Sequence, residues 1–317
     1  MKNTTIQVLP KVRREFKAQE YIMHEALKNA VEIAIALGQP LLLTGEPGTG
    51  KTKLAYKIAN DLAALPDHIF ADKPLIFNTK TTSSARDLFY TYDALSHFQA
   101  ANVKRADGVA SAKTADFIEL QALGKAIAMS NPTTVDSSKF STDLPKAATS
   151  SVVLIDEIDK APRDFTNDIL HEIEEYNFAI KEQDNYGIKA DESQQIVVIM
   201  TSNSEKNLPD AFLRRCVFYH IPFPSDELLL EIVQSQLGSH TKYTEEALKV
   251  LITKFNNLRK SAVRKPPATA ELVSWLRILE LQNYLEMDDQ QQRTLMLKNL
   301  AILVKTKEDL DAVKGIL

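Results

Sequence analysis

Residues 45–52 read GEPGTGKT, preceded by a run of leucines, Leu41–Leu43, and followed by a helix-patterned segment from Lys51 to Leu65. The spacing G-x-x-x-x-G-K-[ST] between a strand and a helix is tightly tied to phosphate chemistry. Gly45, Gly48 and Gly50 let the backbone curl with its N–H groups pointing inward, and Glu46, Pro47 and Thr49 complete the loop. Those donors and the following helix N-terminus form a nest for anions. Lys51 offers a point charge to the β- and γ-phosphates of a nucleotide, and Thr52 a hydroxyl to Mg²⁺. ATP and Mg²⁺ are therefore the expected ligands.

The rest of the chain is patterned to support such a loop. Five short apolar runs, Leu41–Thr44, Leu75–Asn78, Val152–Ile155, Ile196–Met200 and Val217–Ile221, are rich in Leu, Ile or Val. Four lack alternation, which suits strands buried on both faces of a parallel sheet. The fifth, VFYHI, is more polar and fits an edge. Helical patterns lie between them: Glu20 to Leu37 with apolar Ile22, Ala26, Ala30, Ile33 and Leu37, then Lys51 to Leu65, then Phe165 to Tyr176 with Ile169, Ile173 and Tyr176 on one face. Alternating strands and helices predict an α/β fold with right-handed crossovers. Ser130 to Ser151 reads as an exposed loop, and residues 177–197 as a hairpin with a broad turn.

After Pro222 and Pro224 the strands stop. Ser225 with Asp226 and Glu227, and Thr244 with Glu245 and Glu246, are helix starts, and a third helix follows Pro266 and Pro267. The expected organisation is an α/β domain over 1–224, with an insertion at about 90–150, and a helical lid over 225–317. A chain of 317 residues is long enough for one large domain and one smaller one.

About a hundred residues past the loop, VVLIDE at 152–157 places Asp156 and Glu157 at the C-terminal end of a buried strand. Ligands bind at that end of parallel sheets. Asp156 would hold Mg²⁺, mostly through water, and Glu157 would polarise the attacking water as general base. The guanine-reading N-K-x-D motif is missing, which argues against GTP.

Lys and Arg total 38 and Asp and Glu 42, so the net charge is −4. A protein that grips nucleic acid through phosphates carries a basic excess, so this balance argues against nucleic acid as the main partner. One cysteine, Cys216, excludes an intrachain disulfide and a four-cysteine zinc site. The opening MKNTTIQVLPKVRREF has no apolar stretch behind its charges, and no segment reads as a membrane span. The expected location is cytoplasmic.

GEPGTGKT and VVLIDEIDKAP together resemble the AAA+ ATPases and, within them, the MoxR family. TSN at 201–203, LPDAFLRRC at 208–216, and RDLFYTYDAL at 86–95 followed by FIELQALGKAI at 117–127 extend the resemblance over roughly residues 15–285. It implies that Asn203 is a sensor that orients the lytic water or touches the γ-phosphate. It implies that Arg214 or Arg215 reaches a neighbouring subunit's nucleotide as an arginine finger. Asn78 is either a ligand-responsive partner of Glu157 or simply a strand end. The arginine that many relatives carry at the start of the third lid helix is missing from VRKPPATAELVSW, which leaves Arg264 or Lys265 as substitutes or as solvated bases.

The resemblance further implies a homo-oligomeric ring, a hexamer, that remodels or assembles a protein client or a von Willebrand factor A-type partner. Two other readings use the same motifs. One is an ATP-gated recruitment switch with slow turnover. The other is a DNA-acting AAA+ ATPase.

Overall fold

The computed structural model describes residues 9–11, 16–67, 69–106, 112–204 and 208–315. The opening segment, read above for a leader, lies largely outside the described residues. By their contacts the residues form two units. One comprises Met23–Gly45 and Gly50–Ile221. The other comprises Pro222–Leu317 with Glu46–Thr49 and the described residues up to Ile22.

The larger unit is built on a five-stranded parallel sheet. In chain order its elements begin with α1 (Glu25–Leu37), β1 (Leu41–Gly45), α2 (Lys51–Ala63) and β2 (Leu75–Asn78). A hairpin of β3 (Tyr90–Tyr92) and β4 (Ile118–Leu120) follows, enclosing α3 (Ala94–Ala106), and then α4 (Ala122–Ser130) and β5 (Ser151–Asp156). The unit continues with α5 (Arg163–Glu175), the antiparallel pair β6 (Asn177–Ile180) and β7 (Tyr186–Lys189), β8 (Ile196–Thr201), α6 (Asp210–Leu213) and β9 (Val217–Ile221).

The sheet order is β2-β5-β8-β1-β9, with all four pairings parallel. The central strands β1, β5 and β8 are buried almost throughout, whereas the outer β2 buries fully only Phe77 and the outer β9 alternates half-buried with exposed residues before a buried Ile221. That difference explains why the sequence of β9 is the more polar one: an edge strand needs apolar cover on fewer sides. All five expected strands are present.

Two details of the helices differ from the expectation. The first helix opens at Glu25, where His24 caps it by accepting from the Leu27 amide at 3.2 Å. Its buried stripe is Leu27, Ala30, Val31 and Ala34, while Ile33 is 41% and Leu37 61% exposed. The segment VEIAIAL is apolar on several sides, so periodicity alone selects the wrong face. Tyr176 is not on the face of α5 but beyond its end, in the left-handed region at φ 44. Its hydroxyl donates to the Ile196 carbonyl at 3.2 Å, and burial pushes its pKa up to about 12.

The expected loop at 130–151 is less exposed than its composition suggests. Phe140 is buried in the main core, and the Ser141 amide donates to the Ile118 carbonyl at 2.8 Å. The helix α4 also belongs to that core. A Cβ at its Gly124 would come within 2.0 Å of the Phe89 carbonyl oxygen, so only glycine permits this approach.

The helical unit contains α7 (Asp226–Leu237), α8 (Glu245–Ser261), α9 (Thr269–Leu281), α10 (Asp289–Lys298) and α11 (Lys307–Val313). Ser225 and Thr244 cap α7 and α8 as expected, accepting from the Leu228 and Ala247 amides. Phe255, Leu272, Trp275 and Leu276 are fully buried at its centre. Among the described residues no helix is long and apolar enough to cross a membrane.

Candidate functional site

Parallel register assembles the site. Asn78 pairs with Asp156 across β2 and β5, Ile155 with Met200 across β5 and β8, and Leu43 with Thr201 across β8 and β1. Asp156 and Thr201 therefore fall at the same level, at the C-terminal end of the sheet. The loop that starts at Gly45 begins two residues beyond that level. Crossover connections make this arrangement general for parallel sheets, because each strand delivers its last residue to the same end.

The charges in this end are closely interlocked. Lys51 is only 8% exposed, and its Nζ donates to the Gly45 carbonyl at 2.7 Å and to Asn203 Oδ1 at 2.9 Å. Asn203 is held from its other side, where its backbone N–H donates to Asp159 Oδ1 at 3.2 Å. The Thr52 hydroxyl donates to both oxygens of Asp156, at 3.2 and 3.1 Å. One hydroxyl and one carboxylate in contact are the hard oxygen donors that magnesium takes, so these residues fit that ion. Gly45, Gly48 and Gly50 have φ of 142, 81 and 92, as a loop with inward-facing amides requires. Within the loop, the Thr49 hydroxyl donates to the Glu46 carbonyl at 2.8 Å and closes a turn around Pro47.

Thr201 was not singled out by its sequence, yet it ties the two acids together. Its hydroxyl donates to Asp156 Oδ1 at 2.5 Å and accepts from the Glu157 backbone N–H at 2.8 Å. Glu157 itself lies in the left-handed region, at φ 57 and ψ 51. An L-residue other than Gly, Asn or Asp costs roughly 1–2 kcal/mol there. The strand ends at Asp156, and this twist turns Glu157 away from the strand direction. Its carboxylate pairs with Lys160, whose pKa is raised by that bond.

The other predicted residues lie elsewhere. Asn78 is exposed at the end of β2. Arg214 and Arg215 are exposed just before β9, whose Val217 is level with Leu41 and whose Ile221 is level with Gly45. Four residues of strand span about 13 Å, so both arginines sit at the opposite end of the sheet from the phosphate loop of their own chain. In the helical unit, the Arg264 and Lys265 amides both donate to Asp309 at 3.0 Å, and the Arg264 guanidinium pairs with Glu308. A different lid arginine, Arg259, contacts the loop: its Nη2 donates to Glu46 Oε2 at 2.5 Å. The thiol of Cys216 is pushed up to about 12 by burial, consistent with a packing role.

The Thr201 bridge yields a direct test. Thr201→Val keeps the volume but strands the Asp156 carboxylate and the Glu157 amide. It should cost about 1–3 kcal/mol of unfolding free energy, whereas Thr201→Ser should keep most of it. Denaturant melts of the two variants check this, and a Val variant as stable as the parent would show the bridge to be dispensable.

The family described as AAA domain (dynein-related subfamily) matches residues 40–216, more than half of the chain. No curated protein matches. Among solved structures, the chain is similar to domain III of the Thermotoga maritima replication initiation protein DnaA, at 12% identity and a TM-score of 0.47, covering 91% of this chain and 97% of that one. It is also similar to a Thermotoga maritima RuvB variant, at 15% identity and a TM-score of 0.45, covering 90% and 70%. The span of the family match, from Pro40 before the phosphate loop to Cys216 before the edge strand, encloses every element of the sheet's C-terminal site except β9. The chain belongs to the AAA domain family, in its dynein-related subfamily.

Proposed function

We propose that this chain hydrolyses ATP with magnesium as a subunit of a MoxR-like ring, a hexamer by resemblance, that remodels or assembles a protein partner. The observation that carries the hydrolytic part is the unbroken chain of contacts Thr52–Asp156–Thr201–Glu157, with Lys51 and Asn203 bonded beside it. These are the groups that phosphoryl transfer to water needs, brought to one end of one sheet.

In this reading the loop amides and Lys51 bind the β- and γ-phosphates. Lys51 exchanges one of its present acceptors for phosphate oxygen. Thr52 and Asp156 would hold Mg²⁺, which, when bound, offsets charge on the phosphates. Glu157, released from Lys160, takes a proton from water as the water oxygen bonds to the γ-phosphorus. The bond from that phosphorus to the β,γ-bridging oxygen breaks, giving ADP and inorganic phosphate. Asn203, held by Lys51 and Asp159, keeps its amide fixed while this occurs.

Two further observations support the ring and the MoxR-like assignment. Arg214 and Arg215 stand just before β9, the edge strand, at the end of the sheet away from their own phosphate loop, a place that suits contact with a second copy. The segments RDLFYTYDAL and FIELQALGKAI meet each other, with Tyr90 opposite Leu120 and Tyr92 opposite Ile118. They thus form one structural piece rather than two unrelated matches.

Lys51→Ala should weaken ATP binding sharply in calorimetry. Glu157→Gln should still bind ATP while turnover falls by roughly 10²–10⁴-fold, the usual share of a general base. Near-normal hydrolysis by Glu157→Gln would remove it from this role. Turnover stimulated by duplex DNA, and by no protein fraction, would move the assignment to a DNA-acting ATPase.

The shared site has its own test. Arg215→Ala, or Arg214→Ala if that is the finger, should keep ATP affinity and lose about 10³–10⁵-fold in turnover. Mixed with Lys51→Ala, it should regain hydrolysis, because some boundaries then pair an intact loop with an intact arginine. Mixed rings that form and stay inactive for both arginines would contradict a shared site.

A further inference from the structure

The phosphate loop has to present a row of backbone N–H groups in one curved shape, so whatever holds that shape before nucleotide arrives contributes to affinity. Within the helical unit, one bond and one close approach involve residues 46–48. At Glu46, the carboxylate accepts from Arg259 Nη2 at 2.5 Å. At Gly48, with φ 81, a Cβ would stand 3.0 Å from the Ala268 Cβ and 3.7 Å from the Ala270 Cβ. The first ties Glu46 to α8, and the second shows that a side chain at position 48 would crowd Ala268.

Arg259 is unusually constrained for a lysine-like surface role. Its side chain is only 14% exposed, against 44% for Glu46. The guanidinium carbon lies 3.7 Å from the centre of the Phe223 ring, and Nη1 donates to the Pro267 carbonyl at 2.6 Å. The aromatic face sets the guanidinium plane and the Pro267 carbonyl sets its rotation within that plane. The second amino group is then aimed at Glu46 in advance. A cation this buried, with one ring, one carbonyl and one carboxylate around it, is built to hold its carboxylate partner rather than to wave in solvent. Its carbonyl partner, Pro267, directly precedes Ala268, so one side chain links α8, the start of α9 and the loop.

We infer that Arg259 is a positioning residue for the phosphate loop: through Glu46 it pre-shapes the nest, so that the helical unit sets nucleotide affinity without an arginine on the nucleotide itself. This rests on the nucleotide reading proposed above, and deepens it. It also assigns the lid a cation in contact with the loop, whereas the Arg264 guanidinium pairs with Glu308 and the Arg264 and Lys265 backbone N–H groups are tied to Asp309.

A purely structural salt bridge would alter melting temperature alone. A loop-shaping one changes nucleotide affinity and leaves the chemical step. In the full-length chain, Arg259→Ala and Glu46→Gln should each raise the Kd for ADP and the KM for ATP by about tenfold, with kcat changed by less than about threefold. The double variant should be no worse than either single one, because both remove the same contact. Arg259→Lys, which keeps the charge but not the three-way fork, should recover part of the affinity. Single variants that bind ADP within about twofold of the parent, or losses that multiply in the double variant, would overturn the inference. If Arg259→Ala does not fold, Glu46→Gln and Arg259→Lys decide it by the same affinities. A parent chain that binds neither ADP nor ATP would instead overturn the nucleotide reading beneath it.

Discussion

The Thr201 hydroxyl, shared between the Asp156 carboxylate and the Glu157 amide, is the contact on which the rest of the site depends. It exists only because β5 and β8 pair in parallel with Ile155 level with Met200. A slip of one residue would turn every side chain of one strand to the other face and separate these groups. That register is held by strands buried on both faces, where a slip would also expose apolar surface. The hydrophobic core and the polar site are thus two consequences of one alignment. The same alignment carries Thr52 to Asp156 and Lys51 to Asn203, across 104 and 152 residues of sequence.

Strain and burial are concentrated in the same few residues. Glu157 holds a left-handed conformation that glycine would adopt more cheaply. Lys51 is buried with its charge satisfied by a carbonyl and an amide oxygen. Both arrangements cost stability and leave reactive groups set in place, as expected where geometry serves chemistry. The Glu157 carboxylate is paired with Lys160, and its release from that pair is the rearrangement that the proposed hydrolysis requires.

Local features were legible in the sequence and distant partnerships were not. GEPGTGKT and VVLIDE announce themselves because loop shape and strand burial are written in adjacent residues. The five strands and the Ser225 and Thr244 caps follow for the same reason. The inward face of α1 is not legible in this way, because VEIAIAL offers apolar residues in almost every direction and only packing decides which are covered. Thr201 looks like any residue ending an apolar strand; nothing nearby in sequence says that it bridges two acids 44 and 45 residues away. Arg259 is one basic residue at the end of a helix, where cations are ordinary, and its partner Glu46 lies 213 residues upstream. No arginine stands at the start of α9, and the lid residue that meets the loop, Arg259, sits one helix earlier.

The central claim is that the C-terminal end of this sheet turns over ATP. The most direct measurement is release of inorganic phosphate by the unmodified chain as ATP is varied, with magnesium present and then with it removed by chelator. The account predicts saturable phosphate release that requires the metal, together with nucleotide binding that survives its removal in weakened form. Tight, metal-dependent ATP binding with no phosphate released by the assembled protein would contradict it, and would leave the chain as a nucleotide-gated switch.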